Sequence, residues 1–130
     1  ARWLMEKMPP KTLVVGVARG SHALAVPAEL LTAGRVVEAK LGGENVVVVE
    51  GMDGGARAFL ATAGGRDLEF ERVRSGLRDA QTGSTWDPIR GVCTNGELAG
   101  SKLEPVPVTR AFWFAWSSFY PNTEVVDGKP

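Results

Sequence analysis

Short apolar segments separated by glycine-containing turns recur roughly every ten residues through the first two-thirds of the chain. Residues 12–18 are rich in β-branched side chains, and the turn at 42–44 (Gly-Gly-Glu) joins the apolar segments 35–41 and 45–50. Glycine supplies the positive φ that tight hairpin turns need. The pattern therefore predicts a mainly β domain, an antiparallel sandwich or a small barrel, with one C-terminal α-helix and short helical turns.

Individual segments predict their place in such a sheet. Residues 46–49 are four consecutive valines, which favours a central strand that is buried on both faces. Residues 67–73 alternate, so Leu68 and Phe70 are predicted to share the buried face of one strand. Residues 27–31 predict a single helical turn, because proline is well tolerated in the first turn of a helix.

Composition and charge are those of a globular domain. Of the 130 residues, 44% are hydrophobic and 23% charged, and 15 basic residues balance 15 acidic ones. Without a basic excess there is no electrostatic reason to expect nucleic acid as a partner. No apolar run approaches the ~20 residues of a membrane helix, so no direct membrane span is expected. We divide the chain into an N-terminal helical segment, residues 1–10, and a single β-rich domain, residues 11–130.

The N-terminal segment is expected to lie on another surface. Residues 2–8 are good helix formers, and Pro9-Pro10 ends the run. A helix this short is not stable alone in water. Trp3, Leu4 and Met8 are therefore predicted to contact either the β-domain or a protein partner.

An aromatic block near the C-terminus predicts a longer helix. Thr109 is the expected N-cap and Pro121 the expected stop. This helix would be apolar nearly all round, which is typical of a helix buried on more than one side. Four residues would fall on one side by their spacing: Phe112, Trp116, Phe119 and Tyr120.

Three interpretations of this apolar helix remain open. It can close one end of the β-domain, dock partly on another subunit, or offer an aromatic platform on which sugars or bases stack. Trp113 and Phe114 project away from the predicted common side and so favour a partner. The candidate partner-interface residues are Trp3, Leu4, Met8, Trp113 and Phe114.

Residues 79–86 predict a tight turn between two strands. Asp79 can accept hydrogen bonds from the turn backbone, and Gly83 can take a positive φ. The same stretch also supplies an alternative, ligand-binding or catalytic site. That site would consist of Asp79, Thr82, Ser84, Trp86 and Trp116.

Residues with catalytic or metal-binding side chains are few. His22 is the single His and Cys93 the single Cys, so no intrachain disulfide is available and a dyad requires the two to meet in space. Together with three Met they lack the spacing of a zinc or copper site, and no metal or cofactor is expected. Metal binding through His22, Cys93 or Met stays a third interpretation. The sequence leaves enzymatic activity open and favours none.

A set of residues in the last third resembles a known family. The pattern is Asp79-x-x-Thr82-Gly83-Ser84-x-Trp86, then Gly91, Gly96, Gly100-x-x-Leu103-x-Pro105 and Trp116-x-x-x-x-Pro121-x-Thr123. It resembles the C-terminal signature of domain-of-unknown-function family 3179. The chain departs from that family in lacking a Cys-Pro-Leu-Cys-like segment after the central apolar strand. The resemblance implies a prokaryotic protein and, because members often carry export signals, an extracytoplasmic location.

Together these observations favour a protein whose function is to bind another protein. We expect a non-catalytic accessory or structural subunit that docks on a larger protein assembly. The alternative is a ligand-binding or catalytic domain with its site around Asp79, Ser84, Trp86 and Trp116.

Overall fold

The computed structural model describes residues 8–32 and 34–126, and these residues are mainly β-structure, as predicted. The predicted N-terminal helix falls largely on residues 1–7, outside the described residues. The helices are α1 (Ala28–Thr32) and α2 (Trp113–Phe119). The strands are β1 (Leu13–Arg19), β2 (His22–Pro27), β3 (Val37–Leu41), β4 (Glu44–Glu50), β5 (Ala56–Leu60), β6 (Thr62–Ala63), β7 (Arg66–Asp67), β8 (Phe70–Val73), β9 (Gly76–Asp79), β10 (Thr85–Trp86), β11 (Cys93–Asn95), β12 (Pro105–Val106), β13 (Val108–Phe112) and β14 (Glu124–Val125).

The strands form three four-stranded sheets and one small hairpin. The first sheet has the order β13-β1-β2-β14, the second β12-β5-β4-β3 and the third β11-β10-β9-β8, while β6 pairs with β7. Neighbours are antiparallel except that β14 runs parallel to β2. The described part of the chain contains no closed barrel.

The first and second sheets pack face to face. Val15 and Val17 of β1 belong to the same buried cluster as Val46 and Val48 of β4. Each of these four valines is at most 1% exposed. Full burial of such a side chain contributes roughly 1.5–3 kcal/mol, so this interface is a main source of stability.

The other face of the second sheet packs against the third sheet. Val47 and Val49 share a second buried cluster with Leu77 and Trp86. Strand β4 lies between β3 and β5, and its valines alternate between the two clusters, so residues 46–49 face a neighbouring sheet on both sides. The prediction of a central strand that is buried on both faces is confirmed.

One predicted strand is broken in two. The prediction of a single strand over residues 67–73 is wrong, although Leu68 and Phe70 are both buried as expected. The Leu68 N–H donates to the carbonyl of Ala61, and the Glu69 N–H donates to Gln81 Oε1, 2.8 Å in each case. These bonds turn the backbone away from a continuous ladder between β7 and β8.

The C-terminal helix is shorter than predicted. Residues 108–112 form β13 and pair with β1, so the prediction of Thr109 as a helix N-cap is wrong. Val, Thr and Phe side chains suit a pleated strand, and β1 offers this segment a complete ladder of hydrogen bonds. The helix begins only at Trp113 and ends at Phe119.

The buried side of α2 also differs from the prediction. Trp113 and Trp116 are 6% and 5% exposed and pack on the outer face of the first sheet. Phe112 lies in β13 and Phe119 is 79% exposed, so the prediction that both share a buried side with Trp116 is wrong. The reason lies in β1. A Cβ atom at Gly16 would stand only 2.3 Å from the Trp116 ring, so the missing side chain leaves the space that the indole occupies.

Candidate functional site

Four of the five predicted ligand-site residues come together in the hairpin between β9 and β10. We call Asp79, Thr82, Ser84 and Trp86 the Asp79 cluster. The Asp79 carboxylate accepts hydrogen bonds from the Thr82 N–H (2.6 Å), the Thr82 hydroxyl (2.8 Å) and Trp86 Nε1 (2.8 Å). Asp79 and Ser84 are 0% exposed and Trp86 is 1% exposed. The turn predicted for this stretch is confirmed.

The hydroxyl groups of the cluster form a chain that ends on the carboxylate. Thr82 Oγ1 and Ser84 Oγ are 2.6 Å apart, and the Leu98 N–H donates to Ser84 Oγ at 3.2 Å. Because the Thr82 hydroxyl donates to Asp79, the Ser84 hydroxyl is left to donate to Thr82. Gly96 lies directly against this chain, and a Cβ atom there would be 2.6 Å from Ser84 Oγ. The cluster thus ties the β9–β10 hairpin to the loop that follows β11.

The electrostatics of Asp79 are those of a structural carboxylate. Burial acts to raise its pKa, but the hydrogen bonds from Trp86 and Thr82 outweigh that effect and hold the pKa below the usual Asp range. The group is therefore ionised at neutral pH, with its acceptor positions directed at the protein. A general acid needs a raised pKa, and a general base needs contact with a substrate. The pKa of the Asp79 carboxylate is lowered, and its side chain is 0% exposed.

Trp116 lies apart from the Asp79 cluster. It belongs to the core between α2 and the first sheet, whereas Trp86 belongs to the core between the second and third sheets. Trp116 Nε1 donates to Thr123 Oγ1 at 2.9 Å, and its ring centroid is 4.3 Å from that of Tyr120. The five-residue site predicted as an alternative is therefore divided between two cores.

His22 and Cys93 also lie on different sheets. His22 begins β2 and lies against the turn at Gly42, where an added Cβ would be 2.5 Å from the imidazole. Cys93 is 2% exposed in β11, and its thiol lies 3.5 Å from the carbonyl of Asn95. Across residues 8–32 and 34–126, no group of three or more His, Cys, Asp or Glu side chains has the arrangement of a metal site.

The predicted interface residues have different positions. Trp3 and Leu4 lie outside the described residues. Met8 is half-buried against the core beneath α2, and Trp113 is almost completely buried in that core. Phe114 is 50% exposed.

Three further exposed apolar residues lie at the end of α2 or at its junction with the first sheet, and they were not among the predicted interface residues. Leu13 and Phe112 face each other across β1 and β13, and the Phe112 ring stacks with that of Phe114 at 6.1 Å. Phe119 contacts Tyr120, with ring centroids 5.3 Å apart. We call Leu13, Phe112, Phe114 and Phe119 the aromatic rim. A helical spacing in the sequence could have indicated part of this rim. Trp113-x-x-Trp116-x-x-x-Tyr120 places three aromatic residues on one side of a helix, with Phe114 and Phe119 outside that side.

A groove lies between α2 and β13. Its volume is about 380 Å³, and most of its wall is apolar. Residues of β13 line one side, and residues of α2 together with the residue that follows it line the other. The lining residues are Thr109, Ala111, Ala115, Trp116, Phe119 and Tyr120.

Comparison with known proteins bears out the resemblance seen in the last third of the sequence. The family model described as "Protein of unknown function (DUF3179)" matches residues 4–123. The chain belongs to this family. No curated protein and no solved structure matches the DUF3179 chain.

The DUF3179 pattern is largely structural in this chain. Thr123 is 1% exposed and accepts the Trp116 indole N–H, while Asp79 accepts that of Trp86. After β4, where the sequence analysis noted that a Cys-Pro-Leu-Cys-like segment is lacking, residues 51–55 form a turn. The Gly51 N–H donates to the Gly55 carbonyl at 2.8 Å and closes this turn. Among the described residues, no helix is long and apolar enough to cross a lipid bilayer.

Proposed function

We propose that this DUF3179 domain is a non-catalytic accessory subunit that docks on a larger protein assembly through the surface around α2. The observation that carries the proposal is the aromatic rim. Phe119 is 79% exposed, Leu13 54%, Phe114 50% and Phe112 43%. Single exposed apolar residues are ordinary, but several around one short helix favour a binding surface.

The chemistry of α2 supports a partner with an apolar surface. The helix reads Trp-Phe-Ala-Trp-Ser-Ser-Phe and contains no charged residue. Aromatic side chains are enriched, and charged ones depleted, in the cores of protein interfaces. Binding here would depend on burial of apolar area, and salt would screen it little.

The Asp79 cluster supports the non-catalytic part of the proposal. Within the described residues, no buried side-chain nitrogen or oxygen lacks a hydrogen-bond partner. Asp79, Thr82 and Ser84 bond with one another and with neighbouring backbone, which leaves them no acceptor or donor directed at a substrate. The polar residues that first suggested a site instead hold the hairpin together.

We further propose an extracytoplasmic location for the assembly. Its support is the family membership, since the resemblance to family 3179 implies frequent export. Fractionation of source cells that carry a C-terminally tagged full-length protein tests this point. Recovery in the cytoplasmic fraction alone would contradict the proposed location without affecting the docking surface.

Site-specific photocrosslinking in source cells tests the docking surface. Benzoylphenylalanine would replace Phe119 or, as a matched control, Met52, which is 91% exposed in the β4–β5 turn. We expect a discrete crosslinked protein band from position 119 that is absent at position 52. Equal crosslinking at both positions, or none at position 119, would overturn the proposal.

A further inference from the structure

Among residues 8–32 and 34–126, strand β13 pairs with β1 alone, which leaves its outer edge without a partner strand there. In an antiparallel ladder, alternate residues direct their N–H and C=O groups to opposite sides. The Trp113 N–H donates to the Thr12 carbonyl at 2.7 Å, which continues the β1 ladder. It follows that the backbone N–H and C=O groups of Thr109 and Ala111 point toward β1. The backbone groups that point away from β1 belong to Val108, Arg110 and Phe112.

Within the described residues, no edge strand of the three large sheets is longer than β13, and β3, which has the same length, carries more charge. Strands β12 and β14 have two residues each, and edge strand β3 carries Glu38 and Lys40. Short length and charge are common means of preventing a foreign strand from pairing. Strand β13 has five residues, and its single charged side chain, Arg110, is directed to the Gly54 carbonyl at 3.0 Å and to Glu50.

The groove beside α2 lies on the same strand. Thr109 and Ala111, which line the groove, alternate with the three residues whose backbone groups point outward. Side chains of an added strand would likewise alternate between the two faces of the sheet. Every second side chain of such a strand would therefore lie on the α2 side. Because the groove walls carry no charged side chain, they fit an apolar one.

We propose that the partner binds by adding an extended segment to β13 as a fifth strand of the first sheet, with an apolar side chain in the groove. This inference rests on the proposed docking function and specifies how the partner is recognised. Main-chain hydrogen bonds supply affinity in this mode, and the side-chain groove supplies specificity. A bound helix would leave the outward groups of β13 without a protein partner, since its own backbone is satisfied internally.

A matched pair of substitutions separates the backbone from the side chain. Arg110→Pro removes an outward N–H and is tolerated at a sheet edge, because that group does not serve the β1 ladder. Arg110→Ala removes the same side chain and keeps the N–H. Circular dichroism and thermal unfolding establish that both variants are folded.

The probe is a fluorescein-labelled heptapeptide selected from a random displayed library on the wild-type protein. We expect alternating apolar residues in the selected peptides. In fluorescence anisotropy, Arg110→Ala should bind within about threefold of wild type, and Arg110→Pro about tenfold or more weakly. Peptides that carry N-methyl groups on the residues facing β13 should lose binding to a similar degree.

A second variant keeps the proposal testable if Arg110→Pro fails to fold. Ala115→Phe fills the groove without altering the β13 backbone, and we expect it to weaken the same peptide about tenfold or more, since it excludes the apolar side chain. Unchanged peptide binding in folded Arg110→Pro or in Ala115→Phe overturns the proposed mode. So does the failure of the library to yield a binder.

Self-association is a distinct outcome. If sedimentation shows a dimer that Arg110→Pro dissociates and Arg110→Ala does not, the strand that covers β13 belongs to a second copy, and the partner-segment proposal is wrong. Crosslinking from position 119 in cells reports on docking itself. If a partner is crosslinked at position 119 but Arg110→Pro binds the peptide as wild type does, strand addition is rejected and the docking function is retained.

Discussion

The Asp79 cluster and the surface around α2 use aromatic residues in opposite ways. In the cluster, Trp86 is 1% exposed, and its indole N–H donates to a buried carboxylate. Around α2, Trp116 is similarly buried, but Phe114 and Phe119 remain half to four-fifths exposed on the same helix. One region satisfies every polar group internally, and the other leaves apolar area in water.

This difference separates stability from binding. Residues whose hydrogen bonds are satisfied inside the domain should affect folding when they are changed. Residues that are exposed to solvent and lack polar partners should affect association and hardly alter folding. Substitutions in the two regions are therefore expected to fall into two distinct classes.

The largest effect is expected at Asp79. Asp79→Ala leaves the Trp86 and Thr82 N–H groups without their acceptor in a buried site, which should lower the free energy of unfolding by about 3–5 kcal/mol. Asp79→Asn keeps an acceptor oxygen and should cost about half as much. Urea titration followed by tryptophan fluorescence measures both. A loss of less than about 1 kcal/mol for the Ala variant would contradict the structural role.

The contact between Gly16 and Trp116 should show the next largest effect. Gly16→Ala introduces a Cβ atom 2.3 Å from the indole and should cost about 1–3 kcal/mol through overpacking. In a Trp116→Ala background the same substitution should cost much less, since the space is then open. A double-mutant cycle in urea measures the coupling. Additive effects would show that the two residues do not compete for this space.

A pH titration should distinguish the two regions with a smaller change. Because the folded-state pKa of Asp79 is lowered, its contribution to stability is complete above the unfolded pKa of about 3.9 and is lost as pH falls through the folded pKa. Wild type should therefore lose more unfolding free energy than Asp79→Asn between pH 5 and the acid limit of folding. Parallel curves for the two proteins would argue against a lowered pKa.

The smallest effect on stability is expected at the aromatic rim. Phe119→Ala removes a side chain that is 79% exposed, so the free energy of unfolding should change by no more than about 0.5 kcal/mol. Met52→Ala is the matched control. Phe119→Ala alone should reduce partner crosslinking from a probe placed at position 114. A large loss of stability in Phe119→Ala would assign Phe119 to the core instead.

Local features of the fold were predictable from the sequence, and long-range ones were not. The glycine turns, the central valine strand and the turn at Asp79 depend on neighbouring residues and were predicted correctly. Residues 108–112 suit both a helix and a strand, and pairing with β1, almost one hundred positions earlier, decides between them. The contact between Gly16 and Trp116, which determines which side of α2 is buried, is equally long-range and could not be predicted from neighbouring residues. The sequence grouped Trp116 with Asp79, whereas separate cores hold them.

The order of strands along the chain has a consequence for synthesis. Strands β8–β11 follow one another between residues 70 and 95, so the third sheet can form from a continuous stretch of nascent chain. The first sheet cannot be completed as early, because β1 pairs with β13. Residues 108–112 are synthesised on the order of 5–20 s after β1 at ordinary translation rates. During that interval the β1 edge and the space at Gly16 are uncovered. A ribosome-bound chain that stops before residue 108 should therefore expose a strand edge that chaperones can bind.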